Sequence, residues 1–475
     1  MPIKNNLSEI NQDYVKTGKP ISLSFDVPSL GIICCTRVLR AIQGKRITCL
    51  GDFGSHKVVA KLFFHARRAK NHWQRSYKGC HKFIERSITA PNILFSGYLH
   101  EYGVYMIVFE YIENAVRFYE ALASVQDEDQ RQELLNRLIG CLARHHQQGI
   151  IQYDMHMGNF LLKGKKIYSL DGDHVRSFKG PITKSRSLTN LCKLLSNFFP
   201  LLKARVLESY QAYCSAREWD PREKDTRKLI GIASGMRKRR LAKNVRKMYR
   251  SGSSFSVFKT SGYYSIRNRS IWNDRFKAIS DHPELIIAQT SGEQLDGFHK
   301  YHLSIDDVPV TLYSARAFGY YLRRFGVVSR IWRNALRLNR LEIHTPRPVA
   351  IIEKRKRLMI WHAFLIVESW EGVVAQDFFL SNSVPERDKH IVAERIANAF
   401  LVMQQTGIAI RGVCSTNILI SDLEPVFLDV LPFAPSIFSS RSGFFNSIQE
   451  FLQGWDHASE VRRLFHEKLK GVDLV

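Results

Sequence analysis

The sequence predicts an α+β fold in two tandem bilobal domains, each with a small antiparallel β-rich N-lobe and a helical C-lobe. Three observations carry this. Short alternating apolar runs follow Arg37, and runs of that period read as strands. A helical pattern from Asp127 to Gln148 places Leu134, Leu135, Leu138, Ile139 and Leu142 on one face, with Gly149 suited to its C-terminus. Finally, Gly149, Asn159, Asp171 and Glu110 recur as Gly407, Asn417, Asp429 and Glu368, each at a spacing of 258. A constant spacing over four landmarks indicates an internal repeat.

Composition narrows the function. The 475 residues include 70 Lys and Arg against 44 Asp and Glu, a net charge of +26, with 45% apolar residues. Such a field attracts phosphates, whether on nucleic acid, anionic lipid or a phosphorylated glycolipid. The eight cysteines have no zinc spacing, which suits reduced thiols in the cytoplasm. The N-terminal stretch MPIKNNLSEINQDY has no apolar core of a secretory signal, and no apolar run is long enough to span a bilayer. Work at a membrane would therefore take place on its surface.

Along the first half, residues 1–24 are polar and expected to be a loose lead-in. Strands follow at RVLRAI, RITCL and VVAKLFF, with turns at Gly44-Lys45 and Gly51–Gly54. The third strand carries Lys61, and Lys45 or Arg46 in the first turn are candidates for a phosphate contact. Residues 65–88 read as a helix with no clean acidic partner for Lys61: Ser76 or Gly79 stands near the expected place, and Glu85 is the nearest acid. After Pro91 come two apolar strands, the second (104–112) containing Glu110. Cys141, His145, His146 and His156 cluster in sequence but lack metal-ligand spacing.

The stretch Gly149–Arg176 holds the chemistry. Asp154 is followed five residues later by Asn159, then by Phe160, Leu161 and Leu162, a Lys/Gly turn, and an apolar approach to Asp171. That order describes an acidic loop, a short hairpin and a second acidic loop, a layout suited to phosphoryl transfer. Asp154 would orient an acceptor hydroxyl and take its proton; Asn159 and Asp171 would hold Mg²⁺ against nucleotide phosphates. The competing reading is that all three are turn formers. Only a short basic loop separates Asp171 from the next helix (188–199), which favours a small or lipid-linked acceptor over a protein.

Asp and Asn five apart resemble the catalytic loop of the protein-kinase-like superfamily. Two departures argue against a eukaryotic-type protein kinase: Gln152-Tyr153-Asp154 replaces His-Arg-Asp, and Asp171-Gly172-Asp173 replaces Asp-Phe-Gly. The motifs VVAKLF, QYDMHMGNFLL and SLDGDHVR, with SRIWRNALRLNRLEIHTPRPVAIIEKR in the second half, resemble the bacterial lipopolysaccharide core kinases, relatives of the heptose and Kdo kinases. The resemblance covers most of 37–210 and 300–435. It implies ATP and Mg²⁺ as cofactors, with Lys61 gripping the nucleotide phosphates and Glu110 at the adenine-framing hinge. It implies a cytoplasmic enzyme, peripheral at the inner membrane, that phosphorylates a heptose or Kdo hydroxyl of the lipopolysaccharide core.

The two domains are expected at 25–250 and 255–475. Residues 236–250 carry eight basic residues with Leu241, Val245 and Met248 on one helical face, and Ser251-Gly252-Ser253-Ser254 then punctuates the chain. A basic amphipathic helix suits an anionic membrane surface, and a solvated linker helix fits the pattern as well. The expected partners are the lipopolysaccharide core glycolipid and the anionic inner-membrane surface, with no nucleic acid. In the second half Gly412 stands where Asp154 would be and Thr311 where Lys61 would be, which predicts a degenerate, catalytically dead copy. Two rivals remain. A soluble small-molecule phosphotransferase of the aminoglycoside or choline type would share the loop but not need the charge. A non-catalytic basic scaffold or nucleic-acid binder would explain the charge but not the four polar residues.

Overall fold

Alternating apolar positions build the first sheet. The computed structural model describes residues 2–10, 14, 19–65, 67–197, 203–252, 254–260, 262–320, 326–356, 359–410, 412–431, 433 and 441–470. Strands β1 (Pro20–Val27), β2 (Gly31–Ile42), β3 (Arg46–Phe53), β4 (His56–Phe63), β5 (Ile93–Leu99) and β6 (Val104–Glu110) form an antiparallel sheet in the order β1-β2-β3-β4-β6-β5. Val38, Ile47, Cys49, Val58, Ala60, Leu62, Met106 and Val108 share one buried core, as the two-residue period of strands requires. Within the expected loose lead-in 1–24, of which 1, 11–13 and 15–18 lie outside the described residues, helix Pro2–Glu9 and the start of β1 form, and Leu7 and Ile10 enter the same core, with Tyr14, Ile21 and Leu23 packed against it.

A helical lobe follows in the same unit. Helix Ala69–Glu85 lies between β4 and β5 in sequence, and helix Glu128–Gln147 begins at Asp127, whose side chain accepts from Gln130 N at 2.8 Å. That cap satisfies one of the free amides of the first turn. Leu134, Leu135, Leu138, Ile139 and Leu142 are buried against helices Lys184–Leu195, Lys203–Ser215 and Glu223–Lys247. Strands β7 (Val116–Arg117), β8 (Ile150–Gln152), β9 (Phe160–Lys163), β10 (Lys166–Ser169) and β11 (Val175–Ser177) form two small ladders, β10-β9-β7 and β11-β8, that frame the loops around Asp154 and Asp171.

Two histidines inside this lobe give a pH signature. His145 bonds Ser169 Oγ at 2.9 Å, while His146 bridges Tyr213 Oη at 2.6 Å and Asn190 Oδ1 at 3.0 Å. Burial pushes their pKa down to about 3 and about 4. Both are neutral when folded, whereas an unfolded histidine takes up a proton near pH 6.5. Their stabilising contribution is thus complete above about pH 6.5 and lost as pH falls from there toward 4, at about 1.4 kcal/mol per pH unit for each. Denaturant titrations at pH 7, 6 and 5 should show this decline, and His146→Gln should flatten it. An unchanged slope in that variant would refute the assignment.

The chain divides into two units, Met1–Met236 and Arg237–Val475, so the division falls within helix Glu223–Lys247 and not at Ser251–Ser254. The second unit has a seven-stranded sheet of β12 (Phe255–Lys259), β13 (Tyr263–Asn268), β14 (Glu293–Leu295), β15 (Phe298–Ile305), β16 (Val308–Tyr320), β17 (Arg347–Lys356) and β18 (Met359–Glu368). Its order is β12-β13-β17-β18-β16-β15-β14, so β15-β16-β18-β17 repeats the arrangement β3-β4-β6-β5. β19 (Val373–Val374), β20 (Ile418–Ser421) and β21 (Glu424–Phe427) follow, with helix Glu386–Thr406 ahead of Gly407, at φ +74° where Gly149 has +72°. Leu170 N donates to Asn159 O at 2.7 Å and Leu428 N to Asn417 O at 2.9 Å, so the same hydrogen bond occurs in each unit.

Candidate active site

Lys61 lies on β4, opposite Thr48 of β3 and Ile107 of β6, with its side chain 11% exposed. A buried ammonium needs partners. It donates to Asp171 Oδ1 at 3.0 Å and to Ser76 Oγ at 2.9 Å, and Asp173 Oδ1 lies 3.8 Å away. Asp171 sits in the left-handed region at φ +59°, and its carboxylate accepts from Asp173 N at 3.4 Å. Burial pushes its pKa up, but Lys61 and Arg46 outweigh that and hold the carboxyl well below the usual carboxylate range. Arg46 forms an ion pair with Asp173. Of the two basic residues considered for a phosphate contact, it is therefore committed to the acidic loop.

The helix question resolves without an acid. Ser76 is the partner of Lys61, whereas Glu85 is paired with His81 at 2.9 Å on the surface. Gly79, three residues after Ser76, touches the acidic loop with bare backbone. A Cβ on Gly79 would lie 1.7 Å from Gly172 O, and one on Gly172 would lie 2.2 Å from Cys80 N. Real carbon atoms do not approach so closely, so both positions require glycine.

The Asp154 loop is tied to the Asp171 loop at several points. Gln152 Nε2 donates to Leu170 O at 2.8 Å, and Asn190 Nδ2 donates to Gln152 O at 3.0 Å. Tyr153 N donates to His174 O at 2.9 Å. Gln152, first of the two residues that depart from His-Arg-Asp, thus connects both loops. Asn159 is buried, and its Nδ2 donates to Asp154 O at 2.8 Å, which shapes the turn and leaves its carbonyl oxygen for a ligand. The Asp154 side chain is 59% exposed, with His156 Nε2 3.7 Å from Oδ2. An exposed carboxylate on a rigid turn can meet an acceptor hydroxyl from solvent.

Asn159 and Asp171 offer the hard oxygen donors that Mg²⁺ takes. Asp173 Oδ1 is buried without a hydrogen-bond partner among the described residues, a third oxygen with unused capacity beside them. This set fits the ion. Glu110 ends β6 and accepts from Asn92 Nδ2 at 2.8 Å, while its own N–H donates to Asn92 O at 3.0 Å. The geometry groups Lys61 with Asp171 and Asn159 with Asp154; Glu110 stands at the strand end, anchored to a different segment. Sequence reasoning had placed Ser76 or Gly79 near the expected partner of Lys61 and Arg46 as a phosphate candidate; it did not single out Asp173 or His156 for these places, although each lies two residues after a named acid.

In the second unit the strand register corrects one position. Glu368 of β18 pairs with Val310, as Glu110 of β6 pairs with Val58, so the residue matching Lys61 is Tyr313 and not Thr311. Thr311 Oγ1 instead bonds Ser369 Oγ at 3.1 Å. Burial, then the nearby charge of Asp429, push the Tyr313 hydroxyl up to about 12. A neutral phenol therefore faces Asp429 where Lys61 faces Asp171. Asp429 Oδ1 accepts from Leu431 N at 2.9 Å, and Asn334 Nδ2 reaches Val430 O at 2.8 Å from helix Val327–Asn339. Gly412, at φ +63°, brings no side chain to the Asp154 position.

Comparison with known families bears on this site. The model of the lipopolysaccharide kinase (Kdo/WaaP) family matches residues 320–425. That segment is similar to the lipopolysaccharide kinase family. The match runs from the end of β16 to the start of β21 and so falls in the unit without the lysine and the aspartate; the full polar set lies in the first unit. The match supports an ATP-dependent kinase, and that family implies ATP with, as a rule, Mg²⁺. No curated protein matches the chain. Among solved structures it is similar to the Mycobacterium tuberculosis PknI kinase domain, at 14% identity and TM-score 0.24 over 40% of this chain and 74% of that one. Similarity to vaccinia related kinase 3 is 13% identity and TM-score 0.29, over 50% and 95% of the two chains.

Proposed function

We propose that this protein transfers the γ-phosphate of ATP to a sugar hydroxyl, heptose or Kdo, of the lipopolysaccharide inner core at the cytoplasmic face of the inner membrane. The observation that carries the reading is the Lys61–Asp171 pair at 3.0 Å beside a loop bearing Asp154 and Asn159. In this reading Lys61 and the metal side of the site hold the phosphates, and Asp154 orients the acceptor hydroxyl and accepts its proton. Mg²⁺ would be held by Asn159 and Asp171 and would neutralise charge on the phosphates. Met1–Met236 is then the working kinase, and Arg237–Val475, with Tyr313 and Gly412 in place of the lysine and the base, is a pseudokinase that supports it. The deciding experiment is transfer of labelled phosphate from ATP to purified lipopolysaccharide, with an aminoglycoside as the alternative acceptor. Transfer to the aminoglycoside alone would reject the reading.

Residence at an anionic surface is part of the proposal. Among the described residues no helix is long and apolar enough to cross a membrane. Arg239, Arg240 and Lys243 of helix Glu223–Lys247 are exposed, whereas Arg237 is buried and donates to Gln405 Oε1 at 3.2 Å. Burial lowers the Arg237 pKa to about 9, so this residue serves the packing of its unit and not a membrane. Each Lys or Arg near an anionic bilayer adds about 1 kcal/mol of attraction, which fades with salt. Binding to phosphatidylserine vesicles should therefore fall steeply as salt rises, and Arg239→Glu with Arg240→Glu and Lys243→Glu should weaken it about tenfold or more. Equal binding to neutral and anionic vesicles would remove this part.

A further inference from the structure

Two cations converge on the aromatic ring next to Asp154. Tyr153 is 40% exposed, and its backbone is pinned to His174. Lys193, from helix Lys184–Leu195, places Nζ 4.8 Å from the ring centroid and 3.4 Å from Tyr153 O. Arg176, from β11, places its guanidinium carbon 5.4 Å from the same centroid. Neither forms an ion pair with a carboxylate among the described residues. Three separate elements, the Asp154 loop, β11 and a helix, deliver this arrangement to one point. Lys193 is half-buried; burial lowers its pKa, and the charge of Asp154 acts in the opposite sense. The ammonium is therefore partly dehydrated within the field of the proposed base.

We propose that Tyr153, Arg176 and Lys193 form a subsite for an anionic substituent, carboxylate or phosphate, on the saccharide whose hydroxyl meets Asp154. This rests on the proposed function and names the acceptor class more closely. The physical logic is charge and shape. Two like charges held around one ring repel until an anion comes between them, and a charge-assisted bond to each is worth more than a neutral one. The ring face meanwhile accepts the apolar C–H face of a sugar, as aromatic surfaces do for amphipathic ligands. A neutral sugar would fill the ring face and leave both cations unpaired. Nucleotide phosphates have their own partners at Lys61 and the Asp171 loop, so this pair serves a different anion.

The test is calorimetric titration of the full-length chain with glucuronate, glucose 6-phosphate and glucose. Both anionic sugars should bind at least tenfold more tightly than glucose, and the preference between them separates a carboxylate source from a phosphate source. Arg176→Ala with Lys193→Ala should weaken the anionic sugars at least tenfold and leave nucleotide affinity unchanged, whereas Asp154→Ala should retain sugar binding. Equal affinity for glucose, undiminished binding in the double variant, or no binding of either anionic sugar would overturn the subsite. A chain that binds these sugars as expected but transfers no phosphate to lipopolysaccharide would overturn the proposed function and leave the subsite standing.

Discussion

Replacing Asp171 by alanine is expected to abolish Mg²⁺-dependent nucleotide binding. In the proposed site the carboxylate would supply a metal oxygen, and it is the direct partner of Lys61 at 3.0 Å. With side chains only 11% and 16% exposed, this pair is buried, and removing one partner leaves a charge inside at a cost of about 3–5 kcal/mol. Asp171→Asn, which keeps shape and the Lys61 contact, separates the two effects: it should fold better than the alanine variant and still fail to hold Mg·ATP. Asp154→Ala should behave in the opposite way. Its side chain is exposed, so folding and nucleotide affinity should stay near parent values while turnover falls about 10²-fold or more. Gly412→Ala should leave turnover unchanged. Residual ATP-dependent phosphorylation in the Asp154→Ala protein that disappears on mutating Asp429 would reveal a working second site.

The second large effect is expected at Gly79. A methyl group there would lie 1.7 Å from Gly172 O, an overlap with backbone that no rotamer change relieves. Gly79→Ala should therefore push helix Ala69–Glu85 away from the acidic loop, destabilise the unit by about 1–3 kcal/mol or more, and carry Ser76 away from Lys61. Thermal unfolding and nucleotide titration should both shift. Gly140→Ala is the control: it sits in helix Glu128–Gln147 with nothing within 4 Å of the added carbon, and should be neutral or gain up to about 1 kcal/mol from helix propensity. Equal melting temperatures for the two variants would show that the Gly79 contact carries no weight.

The groups proposed to do the chemistry were legible because their signals are local. Asp154 and Asn159 share one loop, Asp171 follows one hairpin later, and Lys61 stands in a strand with clear alternation. The residues that hold those groups were not legible, because they act across the chain. Arg46 reaches Asp173 and Ser76 reaches Lys61 through the fold, and sequence reasoning, which set Ser76 or Gly79 near the expected place, could not choose between them. Two glycines that touch look like any other pair in a sequence. Matching the strand pattern VPVTLY to that around Lys61 chose Thr311, whereas pairing with β18 selects Tyr313; only the ladder knows the register. The strands from Arg37 and the helix around Asp127 followed from periodicity. The docking of Pro2–Glu9 depended on two buried residues in a polar stretch.

The backbone contact between Gly79 and Gly172 has a regulatory consequence. Where a lysine–glutamate ion pair seats the corresponding helix, moving that helix makes and breaks the pair, and activity can be switched on or off. Here the lysine is met by a hydroxyl, and the helix rests on the acidic loop through atoms that no charge change alters. Displacing this helix would therefore break a hydroxyl contact and a backbone seat, not an ion pair between helix and strand.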